Sequence, residues 1–152
     1  MEQATHRELI LRQVKAKDAE EAIRKVGKVF FEAGYVKDSY IEAVVAREKN
    51  FPTGLQLENI AIAMPHTDPQ HVNKAAVCIA QLETPVTFVH MGEEDVYVEA
   101  EMLFMMAIED PDQQVELLSK VLNVFQTADI VKAFKNADSE DTLFALAQKH
   151  IG

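Results

Sequence analysis

Cysteine is nearly absent from this chain: one residue, Cys78, in 152, which excludes an internal disulfide and fits a reducing compartment. Basic residues are scarce as well. Lys and Arg total 15 against 25 for Asp and Glu, a formal net charge of -10. A surface that acidic repels a phosphate backbone, so nucleic acid is not an expected partner and a basic protein surface is. Long apolar runs are missing. The longest, Met102 to Ile108, falls far short of the ~18 residues that suggest a membrane span, so no direct membrane insertion is expected. The opening Met1-Glu2-Gln3-Ala4-Thr5-His6-Arg7 has neither the basic start nor the apolar stretch of a secretory signal, and the expected location is the cytoplasm. Gly and Pro number 5 each, cluster nowhere, and accompany no repeat of fixed period, so nothing marks a linker. Against ~150 residues per domain, residues 1–152 read as a single domain. Its 48% apolar and 26% charged residues are those of a globular chain with a real core.

Periodicity supplies the elements. Leu9 to Val14 reads as a first strand. Asp18 with Glu21 forms a capping-box pattern before Ala22, Val26, Val29 or Phe30 and Ala33 at helical spacing, and Gly34 is placed to end that helix. Ser39 with Glu42 is a second such pattern, opening a helix that buries Ile41, Val44 and Val45 and carries Arg47 at its end. The segment Asn50-Phe51-Pro52-Thr53-Gly54 breaks it. Ile60 to Met64, stopped by Pro65, reads as a strand covered on both faces. Ala75 to Gln81 and Glu99 to Ile108 read as two more, with Val86 to Val89 and Val96 to Val98 as short candidates around a turn at Met91-Gly92. Asp110, Pro111 and Gln113 open a helix whose face is Val115, Leu118, Val121, Leu122 and Phe125. Two further helices are read over Asp129 to Lys135 and Asp138 to His150. The fold class is α/β: an α/β/α sandwich with a central mixed sheet flanked by helices.

The chemistry concentrates in Arg47 to Gly54 and in Ile60-Ala61-Ile62-Ala63-Met64-Pro65-His66. A histidine that ends a strand is, taken alone, as well read as structural. Here a proline and the polar loop Thr67-Asp68-Pro69-Gln70 flank it at the end of a buried strand, where α/β sheets place functional side chains. A neutral imidazole is nucleophilic near pH 7, its unperturbed pKa being ~6.5. Arg47 is its natural companion, because a guanidinium fork matches phosphate or carboxylate oxygens; otherwise it is a solvated cation at a helix end.

The block from Arg47 to Thr53-Gly54, followed by Ala61-Ile62-Ala63-Met64-Pro65-His66, resembles the signature of the mannitol and fructose class of IIA components of the bacterial phosphoenolpyruvate-dependent sugar phosphotransferase system. Ala46-Arg47-Glu48, Phe51-Pro52-Thr53-Gly54 and Pro111 with Gln114 look most like the galactitol-type IIA proteins. The resemblance implies a phosphotransferase component that forms a phosphohistidine on His66. It implies HPr as phosphoryl donor, a cysteine of the IIB component as acceptor, and uptake of galactitol or a related polyol. Arg47 then supplies the cationic fork, while the Thr53 hydroxyl and loop N–H groups supply neutral donors. Neither a metal nor a small cofactor is implied. A nitrogen-linked regulatory IIA protein using the same relay, and a non-catalytic interaction domain with a structural His66, are the alternatives.

One position departs from the common pattern. Relatives often carry a second histidine early in the helix after the last core strand, where this chain has Gln113 and Gln114, the latter in the matching place. A glutamine NH₂ can donate to a phosphoryl oxygen but cannot titrate. His66, Asp68 and His71 match no common zinc spacing. His6, His90 and His150 are expected to face solvent, while Cys78 and Met102, Met105 and Met106 read as core filling.

Overall fold

The computed structural model describes residues 4–152, apart from the side chains of Pro111, Gln113 and Gln114. A 3₁₀ turn at Arg7–Leu9 leads into β1 (Ile10–Val14), then α1 (Ala19–Glu32), α2 (Tyr40–Asn50), β2 (Gly54–Gln56) and β3 (Ala61–Ala63). A second 3₁₀ turn at Pro69–His71 precedes β4 (Ala76–Val89), β5 (Tyr97–Ala107), α3 (Pro111–Gln126), α4 (Ala128–Asn136) and α5 (Glu140–His150). The five strands lie in the order β1-β4-β5-β3-β2. Pairing is parallel for β1 with β4 and β3 with β5, and antiparallel for β4 with β5 and β2 with β3. The sheet is mixed, as expected.

Alternation along the strands divides the core in two. One face carries small residues, Ala61 and Ala63 of β3 with Ala76, Cys78 and Ala80 of β4, against Ile23, Val26 and Phe30 of α1 and Tyr40, Val44 and Val45 of α2. The opposite face carries larger ones, Ile62, Val77, Ile79, Met102, Phe104 and Met106, against Leu117, Val121 and Phe125 of α3, Phe134 of α4 and Leu143 of α5. Both faces are therefore covered, and the near-continuous apolar character of β3 follows from that.

Asp18 accepts from the Glu21 N–H at 2.8 Å, and Gly34, at φ 88°, ends α1. The Asp110 carboxylate takes the Asp112 N–H at 2.8 Å at the start of α3. Other expectations need correction. Ser39 precedes α2 but its hydroxyl makes no cap; it meets His71 Nδ1 at 2.8 Å instead. Leu9 belongs to the 3₁₀ turn. Val86–Val89 and Val96–Val98 are not separate strands but parts of one long β4–β5 hairpin, whose register shifts between Gln81 and Val86. At the near side of that shift the buried Gln81 amide donates to the Phe134 and Ala137 carbonyls at 2.8 and 3.0 Å. In α3, Val115 is exposed and Leu117 and Val124 are buried. The helix is rotated about the shared positions Val121 and Phe125, leaving Leu118 and Leu122 half-buried. Ile41 is half-buried, pressed toward Gly27 of α1, where an added Cβ would come within 2.9 Å of it.

Strand β2 escaped the sequence reading, which took Gly54 only as a breaker. Its backbone lies so close to β4 that a Cβ at Gly54 would stand 2.6 Å from the Val89 carbonyl oxygen. Only glycine permits that approach. The three histidines expected in solvent are all half-buried. His6 stacks beside Tyr35 with ring centroids 5.1 Å apart, His90 Nδ1 lies 2.8 Å from the Met91 carbonyl, and His150 packs near Phe134.

Candidate active site

β3 ends at Ala63, and the chain leaves the sheet through Met64 and Pro65 into His66. Pro65 cannot donate to a ladder, but its carbonyl still accepts the Met106 N–H at 3.1 Å, which ties the exit to β5. On the other side the Met64 N–H finds Thr53, with Oγ1 at 3.2 Å and the carbonyl oxygen at 3.4 Å. His66 thus hangs from a segment clamped between two neighbours.

The imidazole Nδ1 is 2.8 Å from the Met64 carbonyl oxygen. A carbonyl only accepts, so Nδ1 holds the ring proton and Nε2 carries the free lone pair. Burial holds the ring below its usual pKa, and the Arg47 guanidinium pushes the same way, while the Met64 bond and Asp68 pull back. The ring is therefore kept neutral, the form that can attack an electrophile.

Arg47 lies in the last turn of α2, over the Phe51 ring at 5.2 Å from its centroid, and its Nη1 is 3.9 Å from Asp68 Oδ1. Its Nε is buried and makes no hydrogen bond. With only a long contact to Asp68 and no hydrogen bond at Nε, the guanidinium is the lightly committed cation of the site. Next to it, Glu48 accepts the Thr53 N–H at 2.8 Å and the Thr53 hydroxyl at 2.7 Å. Burial raises the Glu48 pKa to about 7, against the opposing pull of the Thr53 bonds and Arg47.

The structure thus brings together three of the expected residues, His66, Arg47 and Thr53. The Thr53 hydroxyl hydrogen is directed at Glu48, however, which makes Thr53 in this arrangement a strut between α2 and the β3 exit. The Gln114 side chain lies outside the described residues. Sequence reasoning missed Glu48, Asp68 as the partner of Arg47, and Phe51 as its platform. Phe51 was the most legible of these, because a large apolar side chain in a polar break, 62% exposed, is uncommon without a task. Among the described residues no cluster of three or more His, Cys, Asp or Glu could hold a metal ion.

The site thus holds a strand-end histidine with its Nδ1 on the Met64 carbonyl and an arginine close enough to lower its pKa. The sequence profile of the phosphoenolpyruvate-dependent sugar phosphotransferase system EIIA 2 family matches residues 3–150. The chain belongs to this family. As an EIIA 2 protein it has a phosphocarrier role in a sugar phosphotransferase system. It is 32% identical over 115 residues to the galactitol-specific EIIA component of Escherichia coli (strain K12), covering 76% of each chain. It is similar to the IIA chain in the complex of enzyme IIAMTL and phosphorylated enzyme IIBMTL from Escherichia coli, with 29% identity, a TM-score of 0.74, and 91% and 93% of the two chains covered. The mannitol-specific cryptic enzyme IIA CmtB from Escherichia coli shares the fold, with a TM-score of 0.79 at 22% identity over 96% of each chain. No described helix of this EIIA 2 protein is long and apolar enough to cross a membrane.

Proposed function

We propose that this EIIA 2 protein is a cytoplasmic phosphocarrier, one domain over residues 1–152, that takes a phosphoryl group from phospho-HPr on His66 and passes it to a cysteine of a IIB component. The observation that carries the reading is the 2.8 Å contact from His66 Nδ1 to the Met64 carbonyl, which leaves Nε2 free in a site where Arg47 is close enough to lower the ring pKa. In the first step the Nε2 lone pair attacks phosphorus, a P–N bond forms, and the bond to the carrier breaks with its electron pair leaving on the carrier. In the second, a IIB thiolate attacks phosphorus, a P–S bond forms, and the P–N pair returns to Nε2. Transfers of this kind rest mainly on positioning and on neutralising the transferred oxygens. Arg47 is proposed for the second task once it turns from Asp68 toward the phosphoryl group, and the Gln114 amide as a further, neutral donor.

The likeness to a galactitol-specific EIIA component over most of the chain supports transport of galactitol or a related polyol, ahead of a purely regulatory role. The protein incubated with phosphoenolpyruvate, enzyme I and HPr is expected to yield an acid-labile phosphoprotein, and His66→Ala to yield none. A wild-type protein that takes no label would leave the interaction-domain reading in its place.

A further inference from the structure

Glu48 follows Arg47 in the last turn of α2, yet the relay gives it no task. Its carboxylate is turned inward, with Oε2 accepting the Thr53 N–H at 2.8 Å and Oε1 the Thr53 hydroxyl at 2.7 Å. The direction of the hydrogen bonds beyond Thr53 is set from this end. In its ionised form Glu48 only accepts, so the hydroxyl hydrogen then points to Glu48 and the Thr53 oxygen is left to accept the Met64 N–H at 3.2 Å. Met64 in turn offers its carbonyl to His66 Nδ1 at 2.8 Å. Residues from α2, from the position just before β2 and from the β3 exit are thereby joined in one unbroken series that ends on the imidazole. β3 itself stops at Ala63, and on this side Met64 is held by Thr53, through Oγ1 at 3.2 Å and the carbonyl oxygen at 3.4 Å.

We propose that Glu48 is a positioning residue for His66: through Thr53 and Met64 it fixes the β3 exit against the end of α2, and so both the Nδ1–H tautomer and the reach from Nε2 to Arg47. Arg47 and Glu48 are adjacent on one helical turn, so the strut that holds the nucleophile is anchored where its cation is anchored. The position is an unfavourable one for a carboxylate. Glu48 borders an apolar cavity of about 310 Å³ with Ile23, Val45, Phe88 and Val89. The other ionisable groups around that cavity are Asp18, the N-cap of α1, Glu20 of α1, Lys49 of α2 and Tyr97 of β5, and Lys49 is 3.9 Å from Glu20. A half-buried carboxylate placed against an apolar cavity is explained by the geometry it imposes.

This inference rests on the reading that His66 receives the phosphoryl group, and its test is chosen to fail separately. The ring nitrogens of His66, labelled with ¹⁵N, report the tautomer without any phosphoryl transfer, and single-turnover transfer from phospho-HPr reports its consequence. In Glu48→Ala and Thr53→Val, each folded by circular dichroism, the ring is expected to become a mixture of tautomers and transfer to slow about tenfold to a hundredfold, as for loss of one or two fixed hydrogen bonds. Thr53→Ser, which keeps the hydroxyl, should restore both. The Glu48→Ala/Thr53→Val double variant should be no slower than the worse single one, because both cut the same series. A folded Glu48→Ala protein whose His66 stays wholly in the Nδ1–H form overturns the proposal, whatever its transfer rate. A wild-type protein that accepts no phosphoryl group overturns the relay reading, and the tautomer measurement still decides the role of Glu48.

Discussion

The Arg47 guanidinium and the Asp68 carboxylate stand 3.9 Å apart, Nη1 to Oδ1, across the mouth of the His66 site. Asp68 is largely exposed, so the pair is weak and easily broken. It holds the cation near the nucleophile without neutralising every donor, since Arg47 Nε has no hydrogen bond. An arriving phosphoryl group therefore competes with an exposed partner, not a buried one.

Fork geometry is the property that Lys cannot reproduce. Arg47→Lys keeps the charge but loses the paired donors and the stacking on Phe51, and is expected to slow transfer on the order of tenfold to a thousandfold, the range for loss of one transition-state donor. Single-turnover transfer from phospho-HPr measures this, and equal rates would mark Arg47 as a surface cation.

The lowered pKa of His66 has a sign that can be checked. The neutral ring persists to lower pH than a free imidazole, so the acid limb of the acceptance rate should fall below the ordinary value of 6.5. Folding stability from this group is present above that value and declines as pH falls below it, because the unfolded chain takes the proton first. Asp68→Asn removes a carboxylate that raises the ring pKa, and should move the limb further toward acid. A limb displaced toward alkali in that variant would contradict the assigned surroundings.

Glu48 has the opposite sign. Its folded pKa of about 7 lies above the ordinary 4.5, so the folded protein holds this proton more tightly than the unfolded one. The stability it contributes is complete below 4.5 and is lost as pH rises to about 7. Glu48→Gln should flatten that fall, which in wild type is on the order of 1–3 kcal/mol. Urea denaturation at several pH values between those limits would show it, and parallel profiles for the two proteins would refute it.

Gly54→Ala tests the close approach of β2 to β4. The new methyl would meet the Val89 carbonyl at 2.6 Å and Val98 Cγ2 at 2.8 Å, so backbone must move. A loss of roughly 1–3 kcal/mol is expected, as for other overpacked sites, together with slower transfer because the adjoining Thr53 moves with Gly54. A thermal melt and a transfer rate both equal to wild type would show that the segment yields without cost.

The amphipathic helices, the buried strands and the His66 motif were legible because each is written in local periodicity or in a short contiguous motif. What escaped is non-local. Nothing near Ser39 announces that His71 would claim its hydroxyl, and nothing near Gln81 announces Phe134 and Ala137 as its partners. Likewise β2, only Gly54–Gln56, is too short to show a period of its own and exists because β3 lies beside it. At the site, Arg47 and His66 were visible as residue types with an evident chemistry. Glu48 was not, since a glutamate in the last turn of a helix is usually solvated, and only its inward contact with Thr53 reveals otherwise.

The order of the strands also governs what the sheet can recruit. Its longest members, β4 and β5, are paired with each other and hold the inner positions, flanked by β1 along Ile79 to Leu82 and by β3 along Ala100 to Leu103. The two outer positions fall to β2, of 3 residues, and β1, of 5, and the latter is kinked at Gln13, where φ is 57°. Short or kinked borders offer little template to a strand from another chain. In the proposed relay, with HPr and a IIB component as successive partners, the borders of the sheet thus give neither of them a long strand to extend.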